Sequence, residues 1–435
     1  MLYYFLIILF YLCFLYFAQK NVKNGLYLVC ALLPTYLIRF SVFGIPATLL
    51  EGMIIILFII WLIKEKISLN PLIWLKNLKN KNEEKNAIPK LLRWPIILLL
   101  IASTISVFVS PDLRNALGIW KAYFIEPIMF LLIFVYNIKT SAEIKNVIKA
   151  LGVTALAIGI FAVIQALTGA LIPNAFWAAE ATRRITTFFG YPNANGLFLI
   201  PIVFLTLGSL ATEKKLIWQI ISRLVVTLSV IAIICTHSTG AVLGLVAGLL
   251  AIVLFYKKTR LPVLISCFFV LLIFTFSPAI QNKISNSLFL ASQTRLPLVP
   301  TDLQIRSQIG RETLTMLSAR PIFGAGLAGY QTAVAPYHVN KHIEIFLYPH
   351  DFFLNFWTET GLLGLLAIIW LLAGFFRLAA KNPNILTFSA IWAIIALLVH
   401  GLVDVPYFKN DLAILFWIII GIVIILNNKE MCQSG

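Results

Sequence analysis

Apolar runs of span length recur along this chain from Met1 to about Asn427. Crossing a hydrocarbon core about 30 Å thick takes roughly 17–25 helical residues. Within lipid, only helices and closed barrels satisfy every backbone N–H and C=O. The runs are continuous and lack the two-residue alternation of a barrel strand, so they read as helices. The composition agrees, with 60% hydrophobic and 12% charged residues, where a soluble domain is about a quarter charged. The expected spans are approximately 2–18, 25–39, 46–63, 94–110, 117–137, 147–169, 190–211, 215–235, 239–256, 261–277, 351–377, 385–400 and 411–427. The second is short and carries Pro34 and Arg39. The implied fold class is all-α, a polytopic transmembrane helical bundle of about 12–13 helices with one large, partly helical extracytoplasmic loop. Helices within 1–277 precede that loop, 278–350, and 351–435 completes one integrated membrane domain with a short tail. The first run has no preceding basic region or small-residue cleavage site and is expected to be retained as a helix. No internal repeat is evident, so the two matching halves of many transporters are absent from the sequence.

The formal charge of +17 raises nucleic-acid binding, but the placement of the charge argues against it. Of the 34 Lys and Arg residues, 22 fall in alternate short loops around Lys20, Lys64–Arg93, Lys139–Lys149, Lys214–Arg223, Lys257–Arg260, Arg377–Lys381 and Lys429. Cytoplasmic loops hold such an excess. The N-terminus is then expected outside, the C-terminus in the cytoplasm and 278–350 outside. Loop 64–93, with Leu72, Ile73, Trp74 and Leu75 among its lysines, is expected to lie on the anionic inner leaflet as a basic amphipathic segment. The cysteines Cys13, Cys30, Cys235, Cys267 and Cys432 show no paired spacing and read as small buried hydrophobes or tail.

Polar residues that neither solvation nor topology explains are where function is sought in a membrane protein. Three groups qualify, all on the expected outer side. The first runs from Ala181 to Gly196, where Arg183 and Arg184 precede a Phe-Phe-Gly-Tyr-Pro turn and Asn193 and Asn195 enter an apolar helix. Outside, arginines are not required by topology, and the planar guanidinium fork suits phosphate; the alternative is snorkelling to headgroups. The second group lies in the long loop, with Arg306, Arg311 and Arg320 followed by Pro321, Gly324, Gly326 and Gly329. A helix is expected over 303–319, ending before Pro321. On it Arg306 and Arg311 project about 140° apart. The Gly-x-Gly-x-x-Gly spacing lacks the βαβ context of a dinucleotide site and reads as a tight glycine turn. The third group is His350 and Asp351 at the mouth of an apolar helix, with Glu359 about two turns further along.

Other polar residues read as structural. Glu126 and Lys121 are five apart, a poor spacing for an α-helical pair, and Glu51 has no evident partner. His237, Ser238, Thr239 and Gly240 lack an acid to orient a nucleophile. His338 and His342 would suit a metal only on a helix, and no third ligand is apparent, so no metal site is expected.

The three groups resemble the O-antigen ligase and O-antigen polymerase superfamily of bacterial envelope proteins. Arg184 through Phe188, Pro192, Asn193 and Asn195 resembles its Gly-Thr-Phe…Pro-Asn segment. Arg306 through Pro321, Gly324 and Gly326 resembles its Arg…Pro-x-x-Gly-x-Gly segment. His350, Asp351, Glu359, Gly361 and Gly364 resemble its Pro-His-Asn…Glu-x-Gly-x-x-Gly signature. Three departures are visible: Thr239 where relatives often carry arginine, Gly310 where tryptophan is usual, and Asp351 where asparagine is common.

The resemblance implies an inverting, metal-independent glycosyltransferase of the cytoplasmic membrane that needs no cofactor. It would move a polyprenyl-pyrophosphate-linked glycan onto an acceptor hydroxyl of a glycan, lipid or protein. Physical reasoning fits this: outer arginines would neutralise charge developing on the leaving pyrophosphate, and a histidine would accept the hydroxyl proton. Arg184 and Arg306 are then the expected pyrophosphate ligands, with Arg183 and Arg311 as second choices. His350 is the expected base, Asp351 its orienter, and Asn193, Asn195 and Glu359 support the site. A solute transporter or channel of the same shape is the alternative, distinguished by interrupted helices and acidic residues at mid-membrane.

Overall fold

The computed structural model describes residues 2–42, 44–66, 88–255, 260–276, 281, 302–340 and 343–428. Most of loop 64–93, the start of the long loop, His342 and Cys432 lie outside these residues. Among the described residues the regular structure is helical apart from a two-stranded hairpin, β1 (Arg39–Val42) against β2 (Ile45–Thr48).

Each expected span carries a helix. In chain order the helices are α1 (Leu2–Lys20), α2 (Val22–Ala31), α3 (Leu49–Lys64), α4 (Lys90–Val109), α5 (Leu113–Asn137) and α6 (Ser141–Thr168). A short α7 (Ala175–Ala178) precedes α8 (Pro192–Leu210), α9 (Leu216–Cys235), α10 (Thr239–Phe255) and α11 (Arg260–Thr275). The long loop contributes α12 (Asp302–Ala319) and α13 (Tyr330–Val334), and α14 (Phe352–Ala379), α15 (Ile385–His400) and α16 (Asn410–Leu426) close the chain. Seven of the described helices are long and apolar enough to cross a membrane, and α15 and α16 are shorter apolar helices. α16 is buried from Asp411 to Leu426; a helix apolar on every side belongs at the centre of a bundle.

Local chemistry sets the boundaries. Thr48 with Glu51, and Thr140 with Glu143, form reciprocal capping boxes that open α3 and α6. Thr140 starts α6 several residues before its apolar run. The expected second span is broken: α2 stops at Ala31 and the chain continues as a 3-10 turn, Leu33–Leu37, with Pro34 in its first turn. The broken piece still returns across the bundle. Tyr3 Oη donates to Arg39 O (2.7 Å) at one end, and Lys64 bonds Gln19 O at the other.

A π turn at Lys121–Ile125 interrupts α5, with Glu126 N–H bonded to Lys121 O. Five-residue spacing shares a face in a π turn, so Lys121 and Glu126 come into electrostatic reach despite a separation unfavourable in an α-helix. Lys121 forms an ion pair with Glu51, the partner that the sequence did not reveal.

The two ends of the bundle differ. One holds the ion pairs Lys23–Glu143 and Lys149–Glu213, the latter with a nitrogen–oxygen distance of 2.7 Å. The other, here called the loop end, carries the hairpin, the 169–191 segment, α12, α13 and the link 401–409. The three sequence motifs all lie there.

Candidate active site at the loop end

The Arg183–Asn195 segment is held from beneath by one buried amide. Gln165 Oε1 on α6 accepts from Thr186 N (2.9 Å) and Thr187 N (2.8 Å). Thr187 Oγ1 donates to Asn195 Oδ1, and Gly190 turns the chain at φ +74°. Pro192 then opens α8 at a position where its missing N–H is harmless. This turn presents Arg184, whose Nε donates to Thr236 O (2.8 Å) and one Nη to Asn193 Oδ1 (3.2 Å), with the guanidinium 5.9 Å from the Trp177 ring centre.

Asn193 reaches across to the link between α15 and α16, where its Nδ2 donates to Asp404 Oδ2 (3.1 Å). Asp404 Oδ1 accepts from Val405 N (2.9 Å) and lies 3.7 Å from His350 Nδ1, an ion-pair distance longer than a hydrogen bond. Arg306, on α12, bonds the carbonyl of Val403, one residue from Asp404. Arg184, Arg306 and His350 therefore meet around Val403–Asp404, although more than a hundred residues separate the arginines. Burial alone would raise the Asp404 carboxyl. The adjoining His350 and the charge of His400 outweigh burial and hold it below the usual carboxylate range.

His350 takes φ +54°, and Thr187, His237 and Ala328 take +45°, +49° and +59°. Left-handed backbone is uncommon for such residues and gathers where surrounding structure fixes a functional geometry. Burial and the charge of Arg184 push His237 down to about 4.

The other expected site residues have separate places. Asp351 Oδ1 caps α14 by accepting from Leu354 N (2.8 Å), and burial raises its carboxyl. Asp404, rather than Asp351, is the carboxylate beside the His350 ring. Arg183 donates to Ala166 O (3.0 Å) and Leu167 O (3.2 Å), tying its segment to the end of α6. Arg311 is exposed on α12, whereas Arg306 is half-buried. Asn195 braces the Arg184 turn, and Glu359 Oε2 accepts from Ala328 N (2.8 Å), fixing the glycine turn.

That turn is a packing device. Gly361 breaks α14 at φ +69°, and Leu362 N donates to Ile322 O (2.9 Å) across the break. Gly324 takes φ +64° with its absent Cβ only 2.4 Å from Trp357 O. The turn thus locks the end of α12 onto α14, which begins two residues after His350. His338 is buried beside α12. Its Nδ1 lies 3.0 Å from Glu312 Oε2 and its Nε2 2.8 Å from Ile343 O, so both ring nitrogens already face acceptors. Among the described residues, no group of three His, Cys, Asp or Glu could hold a metal ion.

Asp404 escaped the sequence reading, although a signal existed. His400 and Asp404 close an apolar run at the expected outer side, the criterion that singled out His350. His400 is buried, with Gly196 and Gly240 packed on its ring.

Fold and site define a multi-pass membrane protein with two arginines and a histidine–carboxylate pair at one end of the bundle. Residues 224–369 match the family model described as O-antigen ligase. Over these residues, about a third of its length, the chain is similar to that family. The match includes Arg306, His350 and the glycine turn. Arg184 precedes it and Asp404 follows it. A comparison with curated proteins gave no match.

Proposed function

We propose that the protein is an inverting, metal-independent glycosyltransferase acting at the outer face of the bacterial cytoplasmic membrane, with the loop end outward. Its donor is a polyprenyl-pyrophosphate-linked glycan and its acceptor a hydroxyl of a glycan, lipid or protein. The observation that carries the reading is the convergence on Val403–Asp404: Arg184 through Asn193, Arg306 through a backbone carbonyl, and His350 directly. Two guanidinium groups, which suit an anionic leaving group, and an imidazole with a carboxylate beside it gather at this link.

In the reaction, the acceptor oxygen attacks the anomeric carbon from the face opposite the pyrophosphate. The new carbon–oxygen bond forms as the bond to the pyrophosphate oxygen breaks, inverting the centre. His350 takes the hydroxyl proton, and Asp404 stabilises the resulting imidazolium. Arg184 and Arg306 neutralise the charge that grows on the departing polyprenyl pyrophosphate. The polyprenyl tail remains in lipid, which explains why the site lies at one end of an apolar bundle.

The test is transfer by the purified protein from a lipid-linked oligosaccharide to an acceptor glycan. Arg184→Ala and Arg306→Ala should each lower donor use by about tenfold to a hundredfold, the range for losing a charged hydrogen bond. His350→Gln should keep donor binding and lose transfer by roughly 10²–10⁴-fold, since an amide cannot take the proton. Full turnover by all three variants would show the arginines to be headgroup anchors and the histidine a packing group.

A further inference from the structure

The link 401–409 touches the Arg184–Asn195 segment twice. Asp404 meets Asn193, and five residues later the Lys409 ammonium lies 5.7 Å from the centre of the Phe189 ring. Lys409 is half-buried at the N-cap of α16. Its ammonium has no hydrogen-bond or ion-pair partner among the described residues. Asp411 is in electrostatic reach, two residues on and buried, but the two form no ion pair.

Topology does not explain a lysine here. The lysines of the opposite end pair with carboxylates or bond carbonyls, as Lys23, Lys64 and Lys149 do. Helix electrostatics do not explain it either, because a cation at a helix N-terminus opposes the macrodipole. Part of the ammonium's hydration is replaced by the face of Phe189, which belongs to the turn that positions Arg184.

The charge balance of the proposed reaction indicates a use. A pyrophosphate diester carries about two negative charges and gains another as the bond to the sugar breaks. Arg184 and Arg306 bring two positive charges to a leaving group that reaches about three negative ones, so a further cation would complete the balance. We infer that Lys409 is the third cation of the site, binding the pyrophosphate oxygens of the lipid carrier and favouring a pyrophosphate over a monophosphate carrier. This rests on the glycosyltransferase reading above.

The probes are undecaprenyl pyrophosphate and undecaprenyl monophosphate, bound to the purified full-length protein in detergent micelles. Lys409→Met keeps an unbranched chain against Phe189 and removes the charge; Lys409→Arg keeps the charge; Phe189→Leu removes the ring and leaves the ammonium. Lys409→Met should weaken pyrophosphate binding about tenfold or more and monophosphate binding much less, while Lys409→Arg and Phe189→Leu stay near wild type for both. If Lys409→Met binds both carriers like wild type, the inference is wrong and Lys409 only packs on Phe189. If Phe189→Leu matches the loss in Lys409→Met, the ring contact holds the turn and the inference is equally wrong. Arg184→Ala and Arg306→Ala serve as the separate control. Loss of binding there with none in Lys409→Met overturns only the third cation, and unchanged binding in the arginine variants overturns the glycosyltransferase site itself.

Discussion

The sequence offers one carboxylate for His350 and the structure another, and a pair of conservative substitutions separates them. Asp404 accepts hydrogen bonds on both oxygens, from Val405 N at 2.9 Å and from Asn193 Nδ2 at 3.1 Å, with His350 3.7 Å away. In Asp404→Asn one acceptor oxygen becomes an NH2 group that must face a donor. A charge-assisted contact is lost and the imidazolium of the proposed reaction loses its counter-charge. A lost hydrogen bond to a charged group is worth about 1.5–3 kcal/mol, which corresponds to roughly a tenfold to hundredfold fall in transfer rate. Asp351 caps α14 through Leu354 N, and asparagine caps a helix as well as aspartate does. Asp351→Asn should therefore transfer at close to the wild-type rate, while Asp351→Ala should lose about 1 kcal/mol of stability. The assay is initial-rate transfer against pH, with melting of the purified variants as control. Asp404 has its folded pKa below the unfolded value, so its stabilisation is complete above about pH 4 and is lost only as pH falls through the folded pKa. Between about pH 5 and 8 it stays ionised, and any limb of the rate profile there belongs to another group. A fast Asp404→Asn beside a slow Asp351→Asn would refute the assignment and restore Asp351 as orienter.

Two further predictions test the frame around the site. Gly324→Ala places a Cβ 2.4 Å from Trp357 O at φ +64°, which should destabilise the protein by at least about 1–2 kcal/mol. Gly310→Ala, with nothing within 4 Å of its Cβ in mid-helix α12, should stabilise by about 0.5–1 kcal/mol; equal melting of the two variants would dismiss the packing role of the turn. For orientation, cysteines replacing the exposed Ser318 and Thr212, in a background lacking the native cysteines, should react with an impermeant maleimide in intact cells at 318 and not at 212. The reverse pattern would turn the proposed active site to the cytoplasm.

The sequence revealed helices more readily than polar partnerships. Apolar length located the helices, the broken second span excepted, because lipid imposes a minimum length on a crossing helix. It did not locate the π turn at Lys121–Ile125, since an inserted residue leaves the hydrophobic pattern almost unchanged while moving Lys121 towards Glu126 and Glu51. The site motifs were legible where unusual residues cluster along the chain, as at Arg184, Arg306 and His350. Asp351 attracted the orienting role through adjacency to His350, but an N-cap aspartate turns its oxygens back to its own helix. The carboxylate that meets the ring lies 54 residues later, and no local spacing announces it.

The link 401–409 shows why such a residue is hard to see. Its role depends on anchoring, and most of its anchors are apolar or backbone groups. Phe352 N donates to Gly401 O (2.7 Å), joining the link to the first turn of α14, immediately beyond His350 and Asp351. Tyr407 Oη donates to Tyr123 O (2.7 Å) and accepts from Trp417 Nε1 (3.1 Å). Phe408 packs 5.9 Å from Tyr348 and 5.0 Å from Phe356. On the other side, the missing side chain of Gly240 lets Val403 approach α10, within 2.5 Å of where a Cβ would stand. Read as sequence, these residues extend a hydrophobic run; in space they fix Asp404 from both ends, so that one carboxylate can serve Asn193 and His350 together. A catalytic group needs placement to within a fraction of an ångström. For the proposed role of Asp404, aromatic packing and two helix ends supply that placement.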